Sequence, residues 1–450
     1  MSLHLYDTQG RDLKEVKSTH GATSIYCCGP TVYRDAHVGN LRTFLLADLI
    51  SRTLALAGTT VVLVQNITDV GHMSEDIQED DKMLAQAKVE KIDPFEIAHK
   101  YEENFHADLA RLNVEKATAY PRASESIELM QKLIAALIEK GSAYVGDDGT
   151  VYFDAKSFPS YGAISGNRLE SLLPGHKHEH NDEGPKRFHA DWALWKSAGE
   201  RTQMVWPSPW GVGFPGWHIE CSAMSMDLLH NHVDVHVGGI DLRFPHHENE
   251  RAQSNSITET ETVDIWVHGE HLLFEGRKMS KSSGNVVLLQ DVIDRGFDPL
   301  ALRLSLLENR YRSQMDLTWA AIAAADETIK RWRGKIAGWS SSNDLVVDAE
   351  IESAFNADID TPKAIIRLRA IEKSDLTDKR ERFLYADQVL GLNLAAGIEK
   401  KTLTEDMQRL LTDRALARAE KRWADSDRLR LELETLGLTI KDSAEGQVWS

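Results

Sequence analysis

The sequence predicts an α/β protein: a parallel-sheet domain interrupted by an insertion, followed by a helical bundle and a small C-terminal domain. Three observations carry this. Ser24 to Cys28 is an apolar run of β-formers ended by Gly29-Pro30. Leu41, Phe44, Leu45, Leu49 and Leu56 then recur at helical spacing until Gly58, and Thr59 to Val64 is a second apolar run. Strand, helix and strand make one right-handed βαβ unit. The strand pattern returns only at Val233, Val235 and Val237 and again at Val263 to Val267. Between the βαβ unit and that return, residues 142–212 are rich in aromatics, proline and glycine, which marks an insertion. From residue 318 onward the chain is charged and helical in pattern.

Taken in order, residues 1–20 are polar and predict an edge hairpin or ordered arm. The βαβ unit ends at Asn66-Ile67-Thr68-Asp69, at the strand end where open α/β sheets bind ligands. Residues 71–83 are acidic and aperiodic, which predicts a loop. Met83 to Leu112 and Ser124 to Glu139 read as helices, the second closed by Gly141. His176 to Glu183 is a histidine-bearing polar tract, read as a solvated insertion loop. A helix is expected near Pro245 and another at Leu300 to Leu307. Asp360-Thr361-Pro362 is a helix start, and Ser340 to Asp344 a helix junction. Thr404 to Leu436 predicts an amphipathic helix pair, with a hairpin from Leu438-Thr439-Ile440 and Gln447-Val448-Trp449. The expected domains are 1–115 and 213–290 for the two halves of the sheet domain, 116–212 for the insertion, 291–320 for a connecting region, 321–400 for the bundle and 401–450 for the C-terminal domain.

Composition sets bounds. With 52 basic and 70 acidic residues the net charge is −18, so the chain is not a wholly basic nucleic-acid module, though local basic patches suffice for RNA. No run of about 18 apolar residues occurs, and the first residues lack a basic-then-apolar signal, so no membrane association is expected. Cys27, Cys28 and Cys221 are the only cysteines and make no disulfide framework, so a cytoplasmic location is expected.

His37-Val38-Gly39-Asn40 falls where the first loop enters its helix. Free N–H groups and the helix dipole favour an anion there, and Gly39 permits close approach. Lys278-Met279-Ser280-Lys281-Ser282 follows the Val263 strand, and two lysines in such a loop suit a polyphosphate leaving group. Four further residues have the chemistry of zinc ligands. His246 and Glu250, at i and i+4, share a helix face, and Cys28 and Cys221 complete a Cys₂HisGlu set. Each has an ordinary alternative: the cysteines as small buried hydrophobes, His246 as a core histidine, Glu250 as a surface carboxylate. Spacing alone does not bring them together.

The two loop motifs resemble the HIGH and KMSKS signatures of class I aminoacyl-tRNA synthetases, with Asn40 in place of the last HIGH histidine. Cys28-Gly29-Pro30-Thr31-Val32-Tyr33, the segment Gly216 to Met224 and the segment Phe244 to Glu250 resemble the cysteinyl-tRNA synthetase family almost letter for letter. That resemblance implies a Rossmann-like catalytic domain and one Zn2+ held by Cys28, Cys221, His246 and Glu250, with neighbouring His247 excluded and Cys27 on the opposite strand face. It implies an amino-acid pocket of Gly29, Thr31, Thr68, Trp217, His218 and Asp241. It also implies ATP contacts from His37, Asn40, Gly239, Lys278 and Lys281, with His37, Asn40 and the two lysines serving catalysis. The implied partners are L-cysteine, ATP with Mg2+, and tRNA(Cys), and a monomer is expected. Zinc prefers thiolate to hydroxyl, so it would select cysteine over serine without an editing site. The family commonly has Thr-Asp-Ile-Asp-Asp-Lys where this chain reads Thr68-Asp69-Val70-Gly71-His72-Met73.

Arg310 to Gln314 resembles the family's stem-contact region, and Ala415 to Trp449 its anticodon domain. Candidate RNA-facing residues are the segment Lys330 to Lys335 with Trp332, then Arg418, Lys421, Arg422, Arg428 and Arg430, and Trp449. Two other readings compete. The mycothiol-pathway cysteine ligase shares the catalytic half and takes an amino sugar, but lacks a full C-terminal tRNA domain. A non-catalytic zinc-stabilised RNA-binding protein has no need of a pyrophosphate clamp.

Overall fold

The computed structural model describes residues 2–71, 73–74, 77–172, 186–279, 284–340, 344–396, 404–436, 438, 440–443 and 446–449. The histidine tract at 176–183 and Lys281 lie outside them. The chain forms two compact units, one of residues 1–331 and 340–393, the other of 332–339 and 394–450.

In the first unit, β1 (His4–Asp7) and β2 (Asp12–Glu15) form the expected N-terminal hairpin. β3 (Thr23–Cys27), α1 (Val38–Leu56) and β4 (Val61–Gln65) are the βαβ unit, with β3 and β4 parallel from Thr23 opposite Val61 to Cys27 opposite Gln65. Every residue of β3 is buried, as in a parallel strand covered on both faces.

The acidic stretch read as a loop is not one. β5 (Met73–Ser74) and β6 (Ile77–Asp81) pair, and α2 (Lys82–Glu90) starts at once because Asp81 accepts from the Met83 and Leu84 amides. The single helix read from Met83 to Leu112 is two. Lys91 ends α2 with φ 59, and Asp93 caps α3 (Pro94–Arg111) with Pro94 in its first turn.

After α4 (Ile127–Glu139) the insertion folds as its own four-stranded antiparallel sheet. Its strands are β7 (Ala143–Val145), β8 (Val151–Phe153), β9 (Trp192–Ser197) and β10 (Gly213–Pro215). Trp192 and Trp195 are buried in its core, Trp192 stacked on Phe153 at 4.4 Å between ring centroids. α5 (Trp217–Leu228) leads back to β11 (Val233–Gly239), and α6 (His246–Thr258) leads to β12 (Val263–Gly269). The parallel sheet is then ordered β12-β11-β3-β4, so the first strand of the βαβ unit lies at the centre. Its carboxyl edge carries Gly269, Gly239, Cys28 and Asn66.

β13 (Leu272–Phe274), β14 (Arg277–Lys278), α7 (Leu289–Asp294), α8 (Pro299–Leu307) and β15 (Met315–Leu317) follow. The helices α9 (Trp319–Gly338), α10 (Ala349–Asn356), α11 (Thr361–Lys373) and α12 (Lys379–Leu390) come next. Arg303 of α8 is fully buried and ties these parts together. It donates to Asp48 of α1 at 2.6 Å, to the Leu112 and Asn113 carbonyls at 2.9 Å each, and to the Leu390 carbonyl. Gly391 has φ +61, and a Cβ there would fall 2.5 Å from the Arg303 guanidinium.

The second unit contains α13 (Glu405–Ala419), α14 (Trp423–Thr435) and the hairpin β16 (Ile440–Ser443) with β17 (Gly446–Trp449). Leu410, Leu411, Ala417, Leu429, Leu433, Leu438 and Ile440 form its core. Buried Arg414 donates to Gln447, whose amide reaches back to the Leu411 carbonyl. Among the described residues no helix is long and apolar enough to cross a membrane.

Candidate active site and metal cluster

At the entry to α1, His37 is the N-cap. Its Nδ1 accepts from the Gly39 and Asn40 amides at 3.1 and 3.2 Å, and Asn40 Oδ1 accepts from the His37 amide at 3.2 Å. Asn40 therefore closes a reciprocal cap of the kind a Glu or Gln at that position makes. Burial and the neighbouring Arg34 lower the His37 pKa, in keeping with a neutral ring whose Nδ1 accepts and whose Nε2–H is the donor.

The second signature segment lies against the first. The Val38 amide bonds the Val287 carbonyl, His37 bridges Leu288, and a Cβ on Gly39 would come within 3.0 Å of the Met279 methyl. Lys278 is exposed on β14, and its carbonyl accepts from Asn285. Gly239 ends β11, where an added Cβ would fall 2.3 Å from the carboxylate of exposed Asp241.

Cys28, Cys221, His246 and Glu250 each offer one ligand atom, all within 4.8 Å of one another, and all four residues are buried. β3 delivers Cys28, α5 Cys221, and the first turns of α6 deliver His246 and Glu250. The thiols lie 3.9 Å apart, Cys28 is 3.6 Å from Glu250, and His246 Nε2 is 3.0 Å from the same carboxylate. The other ring nitrogen of His246 meets His218 at 2.8 Å, an outer contact of the sort that orients a metal-binding imidazole. Burial raises the Cys28 thiol, as does its contact with Cys221. That same contact lowers Cys221 against the pull of burial. Two sulfurs, an imidazole and a carboxylate, all withdrawn from water, fit a borderline-soft divalent cation.

A second quartet overlaps the first: Cys28, His236, His247 and Glu250 also lie within 4.8 Å of one another. His247, the neighbour set aside on resemblance, has Nε2 3.3 Å from the Cys28 sulfur, and His236 is 3.4 Å from it. His247 passes its Nδ1 to His268, and His268 reaches Thr8, so a line of buried imidazoles runs back into the protein. Burial holds His236 down to about 4 and His268 to about 3, which keeps both neutral. Sequence reading missed both; the only signal was a histidine inside an otherwise apolar strand run.

Beside the first quartet, Thr68 and Thr31 face each other across a parallel bridge, with Thr68 buried. Half-buried Trp217 packs on His246 at 4.4 Å between ring centroids. Gly29 is forced by contact, because a Cβ there would sit 1.6 Å from the Asn66 carbonyl oxygen. The unusual segment after Thr68 is anchored rather than loose. Asp69 accepts from the Ser124 amide and hydroxyl, and Gly71 leaves room for the Asp81 carboxylate. His72 lies outside the described residues. Cys27 points the other way, to Gln65 on β4.

The RNA-facing candidates fare unevenly. Trp332 is fully buried, and Arg422, Arg428 and Arg430 pair with carboxylates on their own helix or its approach. Trp423 is 56% exposed with the Arg418 guanidinium 5.7 Å from its ring, a stacking surface not singled out from sequence. The side chain of Trp449 lies outside the described residues.

Comparison with known proteins agrees along the whole chain. Residues 14–327 match the family described as tRNA synthetases class I (C) catalytic domain, and residues 400–449 the cysteinyl-tRNA ligase anticodon binding domain. A protein of Chlorobium chlorochromatii named cysteine--tRNA ligase is 40% identical, covering 100% of this chain and 99% of its own. Proteins of the same name from Deinococcus radiodurans and Thermus thermophilus are each 38% identical over 100% of this chain, covering 96% and 99% of their own. Among solved structures, methionyl-tRNA synthetase of Mycobacterium tuberculosis with methionyl-adenylate aligns at TM-score 0.56 and 14% identity, over 82% of this chain and 90% of that one, a likeness of fold alone. The parallel sheet, the paired signature segments and this full-length similarity together make the chain a member of the cysteine–tRNA ligase family of class I tRNA synthetases.

Proposed function

We propose that this protein activates L-cysteine with ATP and transfers it to the 3′ end of tRNA(Cys). The observation that carries the reading is the buried Cys28, Cys221, His246 and Glu250 set at the carboxyl edge of the sheet, beside Thr68 and Trp217. These four residues would hold Zn2+. When bound, the ion supplies preferential affinity for a thiolate over a neutral hydroxyl. The Cys221 quartet is favoured over the His247 quartet because it adjoins Trp217, whereas His236 and His247 are closed in against Trp266.

Thr68 and Asp241 meet the substrate ammonium, and Trp217 walls the pocket. The cysteine carboxylate attacks the α-phosphorus, and pyrophosphate leaves. His37 Nε2–H and the Asn40 side-chain Nδ2 donate to phosphate oxygens, and Lys278 and Lys281 neutralise charge on the leaving group. Mg2+ accompanies ATP. The terminal ribose hydroxyl of the tRNA then attacks the acyl carbon and gives up its proton, the acyl–phosphate bond breaks and AMP leaves. The match at residues 400–449 supports tRNA over an amino sugar as acceptor. Three cysteines without a disulfide support a cytosolic protein, taken here as a monomer.

The test is ATP–pyrophosphate exchange with cysteine against serine, repeated as tRNA(Cys) acylation. Exchange with cysteine, little with serine, and acylation are expected. Exchange without acylation would point to another acceptor.

A further inference from the structure

A hydroxyl has one proton to give and two lone pairs to accept with, so what Thr68 offers a ligand depends on where its proton goes. The surrounding hydrogen bonds answer this from a fixed starting point. The Gly29 amide can only donate, and it donates to Asn66 Oδ1 at 2.8 Å. That sets the orientation of the Asn66 side chain and turns its Nδ2 toward Thr68 Oγ1, at 3.2 Å. Thr68 thereby accepts with one lone pair. Its proton goes onward to Glu220 Oε2 at 3.0 Å. Asn66, Thr68 and Glu220 are 1%, 2% and 0% exposed, so water does not compete for these bonds. The Gly29 amide sets the Asn66 end of the relay and Glu220 Oε2, as acceptor, sets the other, and together they leave Thr68 with a lone pair to offer and no proton. That arrangement suits an ammonium and is wrong for a carboxylate or phosphate.

We propose that Asn66 and Glu220 are positioning residues that preset Thr68 as a hydrogen-bond acceptor for the substrate's α-ammonium group. The inference rests on the reading of Thr68 as part of the amino-acid pocket given above. The selectivity it builds in is for the amino group rather than the thiol, so it acts beside the metal cluster and not through it.

Asn66→Asp tests this in the zinc-loaded full chain. Ionised aspartate keeps the acceptor for the Gly29 amide and the side-chain shape, but it has no proton to donate to Thr68. In cysteine-dependent ATP–pyrophosphate exchange, KM for cysteine should rise about ten- to a hundredfold, with kcat and KM for ATP near the parent values and zinc content unchanged. Inhibition by 3-mercaptopropionate, which is cysteine without its amino group, should be unaltered. Glu220→Gln keeps a carbonyl acceptor for the Thr68 proton and should retain a near-parent KM, whereas Glu220→Leu should raise it. If Asn66→Asp does not fold, Thr68→Val against Thr68→Ser gives the same readout. A parent-like KM in Asn66→Asp, or in Thr68→Val where that pair stands in, overturns the proposal, as does parallel weakening of 3-mercaptopropionate. If the parent protein itself shows no cysteine-dependent exchange, the proposed function falls rather than the relay.

Discussion

Cys221→Ser replaces one atom and leaves the packing of α5 intact. The expected outcome is zinc well below one ion per chain by metal analysis, with KM for cysteine raised more than about tenfold. Full metal content and full affinity in that variant would remove Cys221 from the site. For the lysine loop, Lys281→Ala should slow adenylate formation about 10²- to 10³-fold in a single-turnover assay, with cysteine binding near normal. Lettered motifs carried most of this site in the sequence, because His37, Gly39, Cys28 and His246 stand in short segments of specific composition. Asn66 was placed at the ligand-binding strand end but given no role of its own. At a strand end an asparagine reads as a turn former, and its value comes from the Gly29 amide, distant in sequence but in contact across the sheet. His247 was set aside on resemblance alone, although its imidazole is as close to Cys28 as any other group in the cluster.

At the scale of elements, the buried pair of Asp48 and Arg303 joins α1 to α8, and Arg303 also satisfies the ends of α3 and α12. Asp48→Asn leaves a guanidinium without its counter-charge in a dry interior. It should lower unfolding free energy by about 3–5 kcal/mol in denaturant titration. An unchanged midpoint would mean that the carbonyl ligands of Arg303 suffice. Helices with strong periodicity were legible in the sequence, including α1, α4 and the α13–α14 pair. The errors have local causes. Apolar spacing runs on through Lys91 to Pro94, so the break between α2 and α3 is set by Asp93 and Pro94 rather than by loss of pattern. The β5–β6 pair, Met73-Ser74 against Ile77 to Asp81, lies in an acidic stretch with no alternation, and backbone pairing forms it without a periodic side-chain signal.

For the whole molecule, removal of residues 401–450 should leave cysteine-dependent exchange largely intact while kcat/KM for tRNA collapses. A truncated, folded chain that acylated tRNA normally would mean that this domain does not read tRNA. Trp423→Ala is the finer version: loss of one stacking ring should cost about 1–3 kcal/mol in kcat/KM for tRNA with exchange unaltered. The order β12-β11-β3-β4 has a consequence in time as well as in space. Synthesis delivers β3 and β4 early, yet the free edge of β3 waits for β11, about two hundred residues later. At ~5–20 residues per second that interval lasts roughly 10–40 s. For that span the nascent chain presents an unpaired apolar strand edge and two adjacent thiols, Cys27 and Cys28, while the insertion completes its own sheet further along. The central strand of the finished sheet thus gains its second neighbour only midway through synthesis. Cys28 is synthesised long before its partners Cys221, His246 and Glu250.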